Sequence, residues 1–347
     1  MSSTPHDREQ SSGEPRELSD IRKAGWRDIL VRAVREFRHD NVTDHAAALT
    51  YFGILAIFPA LLVLVSIMGL FGKSTTTRVL NNVDSLAPGG VATFLHTVIT
   101  QVQGRAGMAS VGAIVGLIIA LWSASGYVAA FMRAANAIYE IGEGRPIWRT
   151  IPVRILTTLA VVVMLVICVV IILVTGPIAT QVGKAFGIGN SLVLVWQIAK
   201  WPVLLIVVSL LFAVLYRFTP NVKQPGFRWI TPGGLLAVVL WLIASGAFAL
   251  YVSFSSSYNK TYGSLATVII FLVWLWISNI AVLLGLEFDA ETQHQRAIHA
   301  GLPPDVEPFA EPRDTRKMDE EQKDRVAAAR KERDARERRG RHTSPRR

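Results

Sequence analysis

The stretch ILTTLAVVVMLVICVVIILV, residues 155–174, decides the fold. It holds no charge, and only Thr157, Thr158 and Cys168 interrupt the aliphatic run. A hydrocarbon core about 30 Å thick is crossed by a helix of ~20 such residues. An uninterrupted helix pairs all of its backbone N–H and C=O groups within itself, as lipid demands. A surface helix of a soluble domain would show a polar face, and this one has none. Working outward, five more segments have the same character: 46–71, 108–132, 194–217, 232–254 and 263–287. The predicted fold is all-α, a polytopic membrane bundle of about six spanning helices.

Charge distribution supports this. Residues 46–290 carry 13 Lys/Arg and only five acids, namely Asp84, Glu140, Glu143, Glu287 and Asp289. The other 44 charges fall in the first 45 and last 57 residues. A soluble region of that size carries charge on roughly a quarter of its positions. The net charge of +10 would suggest nucleic acid in a soluble protein, but the excess lies in short loops between apolar segments. It reads as membrane orientation, with no specific nucleic-acid partner. The single cysteine, Cys168, can form neither an intrachain disulfide nor a cysteine-based metal site.

Four regions follow along the chain. Residues 1–20 are polar and rich in Ser, Glu, Pro and Arg, and are expected to be disordered. Residues 21–45 hold an amphipathic helix. Trp26, Ile29, Leu30, Ala33, Val34 and Phe37 form one stripe, and Arg27, Arg32, Arg35 and Arg38 lie off it. That stripe suits either the interface of a membrane, with anionic lipid at its cytoplasmic face, or packing on the bundle. Residues 46–290 are the spanning domain, with a long connection at 73–107 that reads as two surface helices broken by Pro88-Gly89-Gly90. Residues 291–347 are charged throughout and are expected to be a disordered tail with a transient helix near 317–339. Basic residues are denser on the N-terminal side: six in 22–38, then Arg133, Arg145, Arg149 and Arg154, then Arg217, Lys223 and Arg228. That side is predicted to be cytoplasmic, and six spans return the C-terminus to it.

Three motifs carry a resemblance to a known family. They are ALTYFGILAIFP (48–59), FMRAANAIYE (131–140) followed by RPIW (145–148), and the region 251–287, including YNKTYGSL (258–265) and GLE (285–287). Together they resemble the YihY/virulence factor BrkB family over about residues 25–290, in order. The resemblance implies a multi-pass protein of the bacterial cytoplasmic (inner) membrane with six spans. The family was long labelled ribonuclease BN, a tRNA-processing enzyme; current proposals for its activity centre on transport or on handling envelope lipids.

The residues themselves speak against the nuclease. Metal-dependent RNA hydrolysis needs clustered His and Asp. The seven histidines, at 6, 39, 45, 96, 294, 299 and 342, are scattered without a His-x-His-x-Asp-His block. A P-loop, a Gly-x-Ser-x-Gly elbow and a His-Glu-x-x-His motif are also missing from the sequence. No catalytic residue, metal or cofactor is therefore expected, and the protein is predicted not to be an enzyme.

What remains is polar chemistry near the membrane. Arg133, Asn136 and Glu140 are spaced i, i+3, i+7, and Glu287 and Asp289 close the last span. Charges at bilayer depth are costly, ~2.5–3.5 kcal/mol at the centre, and persist when paired or used. An Arg133–Glu287 or Arg133–Glu140 ion pair is one explanation; a substrate or proton path, as a gate or a site, is the other. The first span offers Tyr51 as a polar group, and Pro59 can kink the helix there, which serves either packing or a substrate site. Asn259 and Tyr262 lie in an aromatic hairpin that suits an interfacial belt or a ligand contact. The expected function is non-ATP-driven transport of a lipid or small solute. A structural scaffold of the envelope is the alternative.

Overall fold

In lipid a chain satisfies its backbone by coiling on itself, and this chain does so along most of its length. The computed structural model describes residues 23–70, 109–173, 190–224, 231–254, 265–299, 302–303 and 306–343. Its helices are α1 (Lys23–His39), α2 (Val42–Leu70), α3 (Ala109–Ile138), α4 (Ile147–Leu173), α5 (Asn190–Phe218), α6 (Pro232–Phe254), α7 (Leu265–His299) and α8 (Glu320–Thr343). Among the described residues, β-structure is limited to one isolated antiparallel bridge between Val222 and Pro312.

Stretches of α4, α5, α6 and α7 are long and apolar enough to cross a membrane. Helices α2 and α3, with 29 and 30 residues, exceed the ~20 that a span needs. The surface is that of a membrane bundle. Leu156 is 66% exposed on α4 and Ile243 63% on α6, each among other exposed aliphatics of its helix. Water would penalise such faces at about 25 cal/mol per Å², and lipid tails do not.

Helix α7 is the hub, touching α1, α2, α3 and α6. Its contact with α6 depends on two glycines. A Cβ on Gly233 would overlap the Gly285 carbonyl oxygen, and one on Gly285 would overlap that of Gly233. Small residues let backbones approach in this way in membranes. A dense core sits at one end of the bundle, where Tyr216 stacks between Phe131 and Phe212 at 6.3 and 6.1 Å and donates its hydroxyl to the Val282 carbonyl.

At this end α1 lies on α7. Ile29 and Ala33 are buried, with Ile29 against Phe288. The stripe therefore packs on the bundle, with one correction: Val34 points outward at 62% exposure, as does Val31. The residues after α7 also depart from expectation. Residues 302–303 and 306–318 are not a structureless tail. Leu302, Phe309, Ala310 and Met318 are buried in the same core as Tyr139 and Leu286. The backbone of this segment is tied in by Lys223 N to Glu311 O (2.7 Å), Arg313 N to Asn221 O (2.9 Å) and Lys317 N to Gly144 O (2.9 Å). A few apolar residues, each in its own slot, anchor a segment whose average composition is dominated by charge. Beyond it the Asp319 carboxylate accepts from Gln322 N at 2.8 Å, capping the start of α8. The connection at 73–107 lies outside the described residues.

Candidate functional site

A polar thread joins α2, α3 and α7 inside the bundle. Tyr127 donates to Asn279 Oδ1 at 2.9 Å, Asn279 Nδ2 donates to Thr50 Oγ1 at 3.1 Å, and Thr50 donates back to the Ala46 carbonyl at 2.8 Å. Each buried polar atom thereby finds a partner, as a low-dielectric site requires. Eight residues further along α7, about 12 Å by helical rise, lies Glu287.

Glu287 is 1% exposed, and its Oε2 has no hydrogen-bond partner. The charged neighbours that act on it most strongly are acidic: Asp40, Glu291, Glu36 and Glu140. Glu291, one turn further on, is neutralised by Arg32 Nε at 3.0 Å, and its other oxygen lies 3.6 Å from His294 Nδ1. Asp40 is pushed up to about 6, first by burial and then by neighbouring acids, against the pull of His39. Glu140 is pushed up to about 8, first by burial and then by the Glu307 carboxyl at hydrogen-bonding distance. Such a carboxyl holds its proton at neutral pH, because burial and like charge both disfavour the anion. Asp289 stands apart from this group. It accepts from Gly233 N at 2.7 Å and caps the start of α6.

Arg133 does not join these acids. Its guanidinium lies 5.7 Å from the Phe52 ring centre, and it pairs with neither Glu140 nor Glu287. The spacing of 133, 136 and 140 shares a face only while the helix continues. Helix α3 stops at Ile138, and Glu140 adopts φ 52°, which turns its side chain off that face. The network predicted around Arg133 therefore divides, with Glu140 and Glu287 in the acidic group and Asn136 elsewhere.

Asn136 belongs to a second cluster, centred on Arg145. This guanidinium is buried and grips Glu143 with Nε to Oε1 and Nη2 to Oε2, both at 2.7 Å. It also donates to the carbonyls of Phe218 (3.3 Å) and Thr219 (2.7 Å), which α5 leaves unsatisfied at its end. Burial alone would raise the Glu143 carboxyl, but the Arg145 fork and Asn136 hold it below the usual range. Asn136 links Glu143 Oε2 (3.0 Å) to Asn221 N (2.7 Å), and Asn221 Nδ2 bonds the carbonyls of Gly142 and Asp314. Gly144 has no room for a side chain, since a Cβ would strike the Asp314 carbonyl. This clasp binds the α3–α4 and α5–α6 connections to residues 311–317. The i, i+3, i+7 reading missed Arg145 and Glu143. The available signal was the rarity of acids, since Glu143 is one of five in 46–290.

Of the other predicted residues, Tyr51 is exposed on α2 and meets Phe52 edge-on at 5.3 Å. Helix α2 runs through position 59, but the Pro59 side chain, like Asn259 and Tyr262, lies outside the described residues. Among the described residues, no three His, Cys, Asp or Glu side chains group as a metal ion would need.

The comparisons with known proteins fit this architecture. The virulence factor BrkB family matches residues 33–308. A Bacillus subtilis (strain 168) protein named as the ribonuclease-like protein YfkH is 29% identical over 76% of this chain and 93% of its own length. A UPF0761 membrane protein of Alkalilimnicola ehrlichii is 31% identical over 75% of this chain, which spans 57% of that relative's length. Another, of Alteromonas mediterranea, is 28% identical over 79% of this chain and 92% of its own length. No solved structure is detectably similar. The chain is a multi-pass helical membrane protein and belongs to the virulence factor BrkB family.

Proposed function

We propose that this protein moves a lipid or small solute across a bacterial cytoplasmic membrane without ATP, through a polar site centred on Glu287. The observation that carries this reading is the carboxyl itself. Glu287 is buried, has a free oxygen, and has acids rather than a base around it. A static role would be better served by a paired or apolar residue, because an unpaired buried charge costs several kcal/mol. A carboxyl that can take up and release a proton, or meet a cationic group in transit, accounts for its presence. The thread of Thr50, Tyr127 and Asn279 lies further into the bundle, about 12 Å from this group by helical rise.

In this reading the end bearing α1, the clasp and α8 is cytoplasmic. Arg145, Arg149, Arg217, Lys223, Arg313 and Arg316 gather there, as the positive-inside rule favours. The charged α8 supports a second reading, a scaffold that recruits partners through that helix.

The test uses purified protein in vesicles of phosphatidylethanolamine and phosphatidylglycerol carrying headgroup-labelled lipid. Wild-type protein should expose inner-leaflet label to dithionite without ATP, and Glu287→Gln should slow this at least tenfold while thermal stability is kept. Leakage and quenching equal to those of empty vesicles, with the same result for encapsulated small solutes, would favour the scaffold.

A further inference from the structure

Beside the clasp, on the face formed by α4, the 311–317 segment and α8, the chain encloses a cleft of about 330 Å³. Its charged lining is Arg149, Lys223, Arg313, Arg316, Arg330 and Arg333, with only Glu311 and Asp314 opposing them. Six cations against two anions leave four positive charges.

The two acids are already engaged. Asp314 accepts Arg316 at 3.0 and 2.7 Å and Arg149 at 3.2 Å, and Arg316 holds it well below the usual carboxylate range. Glu311 meets Lys223 at 3.1 Å and Arg333 at 3.9 Å. Arg330 forms no ion pair among the described residues. Two further guanidiniums are held in place by backbone. Arg313 donates to the carbonyls of Val222 and Arg217, and Arg333 donates to that of Pro308 at 2.9 Å. The Nε of Arg333 is buried and has no acceptor. Burial, with Arg217 and Arg145 nearby, makes the charge on Arg313 harder to hold than in water.

Fixed, under-neutralised guanidiniums in a concave site are the arrangement that recognises phosphate, because their planar forks match its oxygens. The cleft also has an address. Arg149 stands in the first turn of α4, directly after Ile147 and Trp148, which are 67% and 68% exposed. Exposed Trp at the start of a spanning helix marks the headgroup level.

We propose that this cleft binds a phosphate group at the membrane surface, with Arg330 and Arg316 as the exposed contacts and Arg333 and Arg313 as the fixed ones. The inference is separate from the Glu287 site and stands or falls without it.

The test measures unfolding temperature and ligand affinity of the full chain at constant ionic strength, in two arms. One arm titrates pyrophosphate into protein in a neutral detergent. The other places the protein in phosphatidylcholine nanodiscs with or without phosphatidic acid. Phosphatidic acid should stabilise wild type and should bind at least fivefold more weakly to Arg330→Gln and to Arg316→Gln, with Arg330→Lys recovering part of the loss. Both positions are exposed, so the variants should fold, which circular dichroism checks. Saturable binding of pyrophosphate with the same dependence on Arg330 would assign a soluble phosphate compound as the ligand, with the phosphate site upheld. Equal affinity of wild type and both variants in both arms, or no binding in either, would overturn the proposal.

Discussion

Glu140 and Glu143 lie three residues apart and respond to pH in opposite senses. Glu140 is raised to about 8 in the folded chain, so the stability it contributes is full below its unfolded value of 4.5 and is lost as pH rises through about 8. Glu143 is lowered, so its contribution is present above 4.5 and is lost on acidification. Glu140→Gln should flatten the alkaline limb of an unfolding-temperature profile, and Glu143→Gln the acid limb. Identical limbs in wild type and variants would contradict both environments. Arg145→Ala would take the partner from Glu143, itself about a third exposed, and from two helix-end carbonyls, at about 1–3 kcal/mol for the acceptors left unsatisfied. Arg145→Lys should recover little of this, because an ammonium cannot reproduce the two-point grip. Denaturant unfolding checks both variants. The sequence marked Glu140 and Glu287 because acids are scarce in 46–290, and Asn136 by its spacing from Arg133 and Glu140. It did not reveal their partners, since Glu140 leaves helical geometry and Arg133 turns to Phe52.

At the scale of elements, the spans were legible because apolar length is a direct consequence of bilayer thickness. Helices α2 to α7 overlap all six segments expected from the sequence. The end of α7 was not legible. It continues to His299, more than two turns past Glu287, because α1 covers it with Ile29 while Arg32 meets Glu291. The anchoring of Leu302 and of 306–318 was hidden for a related reason: composition averages over a window, and Leu302, Phe309 and Met318 are single residues in separate slots. Exposed Val31 and Val34, next to the arginines of α1, leave an apolar strip free for lipid. A peptide of residues 21–40 should therefore gain helicity with anionic vesicles, and less so at high salt. Unchanged circular dichroism at low salt would rule out that contact. Arg32→Ala should cost about 1–3 kcal/mol, since it leaves the buried Glu291 carboxylate without its guanidinium partner.

At the scale of the whole molecule, one end is apolar-cored, clasped and charged. Its orientation is testable with alkaline phosphatase, which is active only outside the cytoplasm. Fusions after Gly104 or Lys184 should be active, and fusions after Gly144, Val222 or Arg296 inactive; the reverse pattern would invert the bundle. The acidic group at Glu287 and the basic cleft lie at that same end. Under the proposed function Glu287 serves a path and is not sealed packing. The most direct measurement places a lone cysteine there, Glu287→Cys with Cys168→Ser, and follows its reaction with a small cationic thiosulfonate in native membranes. A path predicts modification within minutes, slower than a cysteine at position 330 and changed in rate by substrate. A position 287 that reacts only after denaturation, beside a fully reactive position 330, would contradict it.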